Sequence, residues 1–266
     1  MITPVALTIA GSDSSGGAGI QADLKTFAAL GVYGASVITA LTAQNTRGVA
    51  AIHPVPADFV TAQLEAVLGD LDVGAVKIGM VGARATIEAI VAALKRFPPR
   101  RVVLDPVMIA SSGERLLPAD AVDALRTKLI PCASIITPNL PEAAVLLSEP
   151  VASSDAAIEC QGRRLLSLGC PFVLIKGGHG HGNESIDYLI AADSTLPLSG
   201  PRIATVNTHG TGCTLASAIA AGLAKGEDMA TAVRNAKAFI GGAIAAADRF
   251  AVGHGHAPVH HFHRFY

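Results

Sequence analysis

The chain has 266 residues, 20 Lys and Arg against 21 Asp and Glu, and half of its residues are hydrophobic. That balance excludes intrinsic disorder, which needs low hydrophobicity and high net charge. A net charge of −1 without a basic run also argues against a nucleic-acid or anionic-membrane surface.

Residues 5–10 read as a buried strand, followed by a glycine-rich turn and a helix over 18–30. The chain runs into this strand from Met1 without a basic n-region or cleavage site, so no signal peptide is expected. Residues 35–42 form another strand-like run, and Pro56-Ala57-Asp58 opens a helix through Leu68. Short apolar runs at 73–78, 101–104, 134–137 and 172–175 are bounded by breakers. Helical stretches at 83–96, 119–129, 141–147 and 155–168 lie between or after them, and two more helices, 211–224 and 229–248, close the pattern. Near-continuous apolar strands, each followed by a helix, imply an α/β fold with a mostly parallel sheet covered on both faces. No linker or fixed-period repeat divides residues 1–266, so a single domain is expected.

The mean hydropathy of +0.46 raises the question of a membrane span. The longest charge-free stretches, 26–46 and 203–224, are interrupted by polar residues and glycine, so no span is expected. Four cysteines, Cys132, Cys160, Cys170 and Cys213, have no CxxC spacing and suggest a reducing cytoplasm. Five histidines crowd residues 254–263, reading as a polar C-terminal segment, with a metal site as the alternative.

In an open α/β sheet, ligands bind on loops beyond the carboxyl ends of the strands. The loop Gly11-Ser12-Asp13-Ser14-Ser15-Gly16-Gly17-Ala18-Gly19 follows the first strand. Gly17, Gly19 and Ala22 match a dinucleotide fingerprint by letter, but no acid ends the second strand to hold a ribose. A plain tight turn is the alternative; Asp13 and Asp23 are placed to hydrogen-bond a polar ligand. Later, Asn207-Thr208-His209-Gly210-Thr211-Gly212-Cys213 leads into an apolar helix. Gly210 and Gly212 leave bare backbone N–H groups at a helix N-terminus, an anion site in waiting. Cys213 falls in that first turn, where the same field lowers a thiol pKa; a small buried core Cys is the alternative. Asp105 follows the strand at 101–104, Asn139 and Glu142 stand at a strand-to-helix passage, and Lys176 precedes Gly177-Gly178. Asp105 as a loop cap and Glu142 as a first-turn helix acid are ordinary roles. Together, two acids, a lysine and a helix-terminal nest suit phosphoryl transfer.

The sequence resembles the hydroxymethylpyrimidine/phosphomethylpyrimidine kinases of thiamine biosynthesis, in the ribokinase-like superfamily. The resemblance runs nearly end to end, through Thr42-Ala43-Gln44-Asn45-Thr46, Lys77-Ile78-Gly79-Met80, Asp105-Pro106-Val107-Met108, Thr137-Pro138-Asn139-Leu140-Pro141-Glu142 and His209-Gly210-Thr211-Gly212-Cys213-Thr214. It implies a three-layer α/β/α ribokinase-like fold and two ATP-dependent steps. The first acts on 4-amino-5-hydroxymethyl-2-methylpyrimidine and the second on its monophosphate. On matching positions it implies that Asp23 and Gln44 bind the aminopyrimidine edge, with Gly11, Ala18, Met80 and Val107 lining the pocket. Asp105 and Glu142 would serve Mg²⁺ and phosphate, while Lys176, Thr208 and Lys237 would meet ATP. Gly210, Thr211, Gly212 and Cys213 would form the anion hole, with an acidified Cys213 as general base. Relatives are commonly homodimers. Segments 109–116 and 179–185 are candidate lids, and Ser111 stands where many relatives carry lysine. A pyridoxal/pyridoxine kinase of the same fold is the nearest alternative. A sensor without catalysis would have eroded the phosphate side, which is present, and a nicotinamide dehydrogenase lacks its acid.

Overall fold

The computed structural model describes residues 3–108, 117–178 and 183–266. Segment 109–116, with Ser111, and residues 179–182 of the second candidate lid lie outside the described residues. The chain opens with β1 (Val5–Asp13), α1 (Gly19–Ala29), β2 (Tyr33–Asn45), β3 (Gly48–Pro54), α2 (Ala57–Leu68), β4 (Ala75–Ile78), α3 (Arg84–Arg96) and β5 (Val102–Leu104). It continues through α4 (Ala119–Ala124), β6 (Ile135–Ile136), α5 (Leu140–Leu147), α6 (Asp155–Leu166) and β7 (Val173–Ile175). The hairpin β8 (Glu184–Ala191) and β9 (Ser194–Pro201) precedes α7 (Thr211–Ala224) and α8 (Met229–Ala245).

Among the described residues the strands form one sheet, ordered β3-β2-β1-β4-β5-β6-β7-β8-β9. The six central strands from β2 to β7 run parallel, and β3, β8 and β9 join the two edges antiparallel. Every residue of β4, β5 and β7 is buried, as expected for strands covered on both faces. Their side chains alternate between two cores. Leu7, Ile78, Leu104 and Ile175 pack with α2 to α6 residues such as Leu64, Ile90 and Leu146. Ala6, Val103, Ile135 and Leu174 pack with Phe27 of α1, Ile219 of α7 and Phe239 of α8. The result is the three-layer α/β/α arrangement, and no described helix is long and apolar enough to cross a membrane.

The periodicity misses β3, β8 and β9. Residues Glu184 and Ser185, expected in a lid, instead begin β8. Pro197, Gly200 and Pro201 give β9 an unstrandlike composition, which an edge strand tolerates because its outer donors need no ladder partner. The helix expected over 119–129 keeps α-geometry only to Ala124 and widens to a π-turn over Leu125–Leu129. The histidine-rich segment is not uniformly polar surface: His260 and His261 are buried. His260 stacks on Phe250 at 3.9 Å, and His261 Nε2 lies 3.0 Å from Thr214 Oγ1. No cluster of potential metal ligands occurs among the described residues.

Candidate active site

The loops after β1, β4, β5, β6 and β7, with the N-terminus of α7, enclose a cleft of about 1370 Å³. That exceeds the ~300–1,000 Å³ of a usual small-molecule pocket, leaving room for a nucleotide beside a small acceptor. Gly11, Ala18, Gln44, Met80 and Val107 line it, as do Asp105, Glu142, Lys176, Thr208, Gly210, Thr211, Gly212, Cys213 and Lys237. A Cβ at Gly11 would meet the Met80 methyl, so a larger residue there would push that flexible side chain aside in the pocket.

Asp23 is the exception. It is fully buried beneath the cleft rather than on its wall. Its Oδ1 accepts from Lys77 Nζ at 2.9 Å and Ser217 Oγ at 2.6 Å. Its Oδ2 accepts from Lys77 at 2.8 Å and Thr8 Oγ1 at 2.6 Å. A carboxylate holding four such hydrogen bonds from three buried donors has no direction left for a ring edge, so the expected role of Asp23 on the pyrimidine is corrected to support of Lys77.

Lys176, at the end of β7, bonds Asp105 Oδ1 at 2.8 Å and lies 3.9 Å from Glu142 Oε2. Burial disfavours its charge, but Asp105 and Glu142 outweigh burial and push its pKa to about 12. Burial likewise opposes the charge of Asp105; Lys176 and Lys77 prevail and hold it below the usual range. Glu142 goes the other way: burial dominates and raises it to about 7. It also plays its ordinary role, because Asn139 and Glu142 form a reciprocal capping box that starts α5.

At α7, Gly210 is the N-cap with φ +82°, and no side chain caps the helix. A Cβ at Gly210 would stand 1.9 Å from Gly17 O, so only glycine lets these loops meet. Thr211 Oγ1 donates to Thr208 O at 2.7 Å, turning the threonine back onto its own loop. A Cβ at Gly212 would lie 3.4 Å from Lys176 Nζ and 3.6 Å from Asp105 Oδ2, placing the bare helix terminus directly beside the lysine and the acid. The expectation for the Cys213 thiol is overturned. Burial is the largest influence and raises its pKa, with Lys77 only partly opposing.

Lys237 of α8 donates to Asp187 Oδ2 at 2.7 Å and to Ser185 O at 3.2 Å. Asp187 also accepts from Gly177 N at 2.9 Å, tying α8 to the turn beside Lys176. Sequence reasoning assigned no role to Lys77, His209 or Asp187. Lys77 did leave a signal, a lysine within the otherwise apolar Val76-Lys77-Ile78. Burial opposes its charge, yet Asp23 above all, with Cys213 and Asp105, raises its pKa.

The phosphomethylpyrimidine kinase family model matches residues 13–260. The chain is 56% identical over 265 residues to a hydroxymethylpyrimidine/phosphomethylpyrimidine kinase of Rhizobium meliloti, covering 100% of this chain and 99% of that protein. It is 50% identical to a thiamine biosynthesis bifunctional protein of Geobacter sulfurreducens, covering 96% of this chain and 51% of that one. Its fold superposes on the ADP complex of Bacillus subtilis pyridoxal kinase with a TM-score of 0.91, 35% identity and full coverage of both chains.

Proposed function

The chain belongs to the phosphomethylpyrimidine kinase family, and from that premise we infer its reaction and how its residues carry it. It is an ATP-dependent kinase that phosphorylates 4-amino-5-hydroxymethyl-2-methylpyrimidine and then its monophosphate, in thiamine biosynthesis. One observation supports the placement of the chemistry: Gly212, Lys176 and Asp105 meet at one point of a cleft whose other wall carries Gly11, Gln44, Met80 and Val107.

The hydroxymethyl oxygen attacks the terminal phosphorus of ATP, and the bond to the ADP oxygen breaks. Backbone N–H groups of Gly212 and Cys213 and the ammonium of Lys176 take up charge on the transferring oxygens. Thr208 and Lys237 serve the nucleotide side. A thiol held above its ordinary range stays protonated at neutral pH and accepts no proton, so the role of Cys213 is its place in the helix terminus. In a loose transition state the attacking oxygen gives up its hydrogen late, and the transferred phosphoryl group receives it.

The donor set suits Mg²⁺. This hard ion is typically held by one or two carboxylates plus substrate phosphates and water, and Asp105 Oδ2 faces the same point as Gly212. Asp105, with Glu142 behind it, would hold the ion, whose chemistry is neutralisation of phosphate charge. We further infer a cytoplasmic homodimer. The cysteines are free, as a reducing compartment requires. Leu41, exposed on β2 and turned to the opposite face of the sheet from the cleft residue Thr42, offers apolar surface to a second copy.

ADP release that depends on the hydroxymethylpyrimidine, and again on its monophosphate, tests the reaction. The likeness to a pyridoxal kinase favours a second comparison, because shared phosphate machinery does not discriminate rings. Turnover on pyridoxal exceeding that on the pyrimidine would reverse the assignment.

A further inference from the structure

Three side chains from three loops meet on the acceptor wall of the cleft. Asp13 ends β1, Gln44 lies near the end of β2, and His209 precedes α7; all three line the cleft. His209 Nε2 stands 2.8 Å from Asp13 Oδ2 and 3.4 Å from the nearest atom of the Gln44 carboxamide, placed as Nε2. The imidazole has little freedom. A Cβ on Gly17 would stand 2.3 Å from its Cδ2, and its backbone bonds Ala257 O and Val259 N. The Gln44 backbone is held as well, exchanging hydrogen bonds with Ser14 Oγ at 2.7 and 2.8 Å.

A hydrogen inventory then fixes the protons. The Asp13 carboxylate accepts from Ser15 N and Oγ, Gly17 N and Ala18 N. A carboxylate that accepts four donors is ionised, so its further partner at 2.8 Å is a donor too. His209 Nε2 therefore carries hydrogen. A carboxamide nitrogen beside it would set donor against donor, and a 180° turn of the amide puts its oxygen there instead. There the oxygen shares the Nε2 hydrogen with Asp13, as the longer arm of a three-centre contact. Thr42 leads to the same orientation independently. Its single hydroxyl hydrogen goes to Ser12 O at 2.8 Å. Its oxygen, 3.2 Å from the other carboxamide atom, can then only accept, which makes that atom the nitrogen.

We propose that His209, held by Asp13, is the positioning residue that fixes the Gln44 carboxamide and so selects an aminopyrimidine acceptor. This rests on the reaction inferred above. With oxygen toward His209 and nitrogen toward Thr42, Gln44 keeps one lone pair and one N–H for a ligand. That pair complements an amino group beside a ring nitrogen. A reversed amide would accept the ring only turned over, with its hydroxymethyl arm carried away from Lys176 and Gly212.

The test uses the full chain with 4-amino-5-hydroxymethyl-2-methylpyrimidine and the same compound lacking its 4-amino group. His209→Phe, which keeps a ring and removes the hydrogen, is expected to raise KM for the amino compound about tenfold. KM for ATP stays unchanged, and the preference over the deaminated compound collapses. In a Gln44→Leu background, His209→Phe adds no further loss. An intact preference in His209→Phe, or an undiminished effect in Gln44→Leu, overturns the proposal. Nitrogen-15 NMR of histidine-labelled protein gives a readout apart from turnover: Nε2 of His209 is protonated, and a bare Nε2 overturns the assignment whatever the activity. Wild-type protein inactive on the pyrimidine would instead sink the inferred reaction and the selectivity with it, leaving the proton placement to be judged by NMR.

Discussion

The ammonium of Lys77 and the carboxylate of Asp23 face each other at 2.8 Å with neither side chain exposed to solvent. The pair joins β4 to α1 beneath the cleft, and Thr8 and Ser217 complete the carboxylate's bonds. Two buried charges persist only because each satisfies the other. Lys77 is therefore a fixed cation of the site, and Asp23 is what keeps it there.

Removing one partner strands a charge. Lys77→Met and Asp23→Leu are each expected to cost about 3–5 kcal/mol of stability in denaturant titrations. The double variant should lose clearly less than the sum, since no uncompensated charge remains. An Asp23→Asn protein of normal stability whose only defect is a raised KM for the pyrimidine would return Asp23 to the substrate.

Gly212 separates function from folding. An alanine Cβ there meets Lys176 Nζ at 3.4 Å and Asp105 Oδ2 at 3.6 Å, while Gly212 is not among the positive-φ glycines. Gly212→Ala should fold as well as the parent, because alanine suits a helix better than glycine. It keeps the backbone N–H but sets a methyl between helix terminus and lysine where the transferring group must sit, so kcat is expected to fall by about the 10²–10³-fold that removal of one oxyanion donor costs. Gly210→Ala offers the contrast. Its Cβ meets Gly17 O at 1.9 Å from a left-handed backbone, so it should lose stability together with activity. Thermal melts beside kcat for both variants check the distinction, and equal loss of stability would defeat it.

The parallel core was legible because its strands are unbroken apolar runs followed by helices of clear period. The edge strands were not: β9 alternates in burial but carries two prolines and few apolar residues, and β3 is largely exposed, so neither stands out as an apolar run. In the site, Gly210 and Gly212 announced a bare helix terminus, and Lys176 a buried charge after a strand. Asp23 misled because its spacing from the glycine loop says nothing about depth; only the folded chain shows it facing inward to Lys77. Cys213 misled for a related reason. A helix N-terminus acidifies a thiol, but the cost of burying a thiolate is a tertiary quantity, and here it is larger.

Glu142 gives the pH dependence a sign. Its pKa rises from 4.5 unfolded to about 7 folded, chiefly through burial. The native state therefore holds a proton that the unfolded chain releases, and stability from this group falls as pH climbs from about 4.5 to 7. Glu142→Gln removes the charge and keeps an acceptor for the capping box. Relative to wild type, the variant should gain on the order of 2 kcal/mol between pH 5 and 7 and change little above. A difference independent of pH across that window would show that Glu142 ionises normally.

Cys213 can be read by its chemistry. The thiolate is the species that alkylates, and burial lifts this thiol above its ordinary value while Lys77 pulls it partly back. Cys160 is exposed and provides a comparison within the same chain. Iodoacetamide labelling followed by peptide mass mapping should therefore modify Cys160 well before Cys213 at pH 7.5. The rate at Cys213 should still be climbing above pH 9. Lys77→Met, if folded, should slow it further, because the cation that most favours the thiolate is gone. Labelling of Cys213 that reaches its plateau below pH 8 would mean that the helix terminus outweighs burial after all, and the thiol would again qualify to take the proton of the attacking hydroxyl.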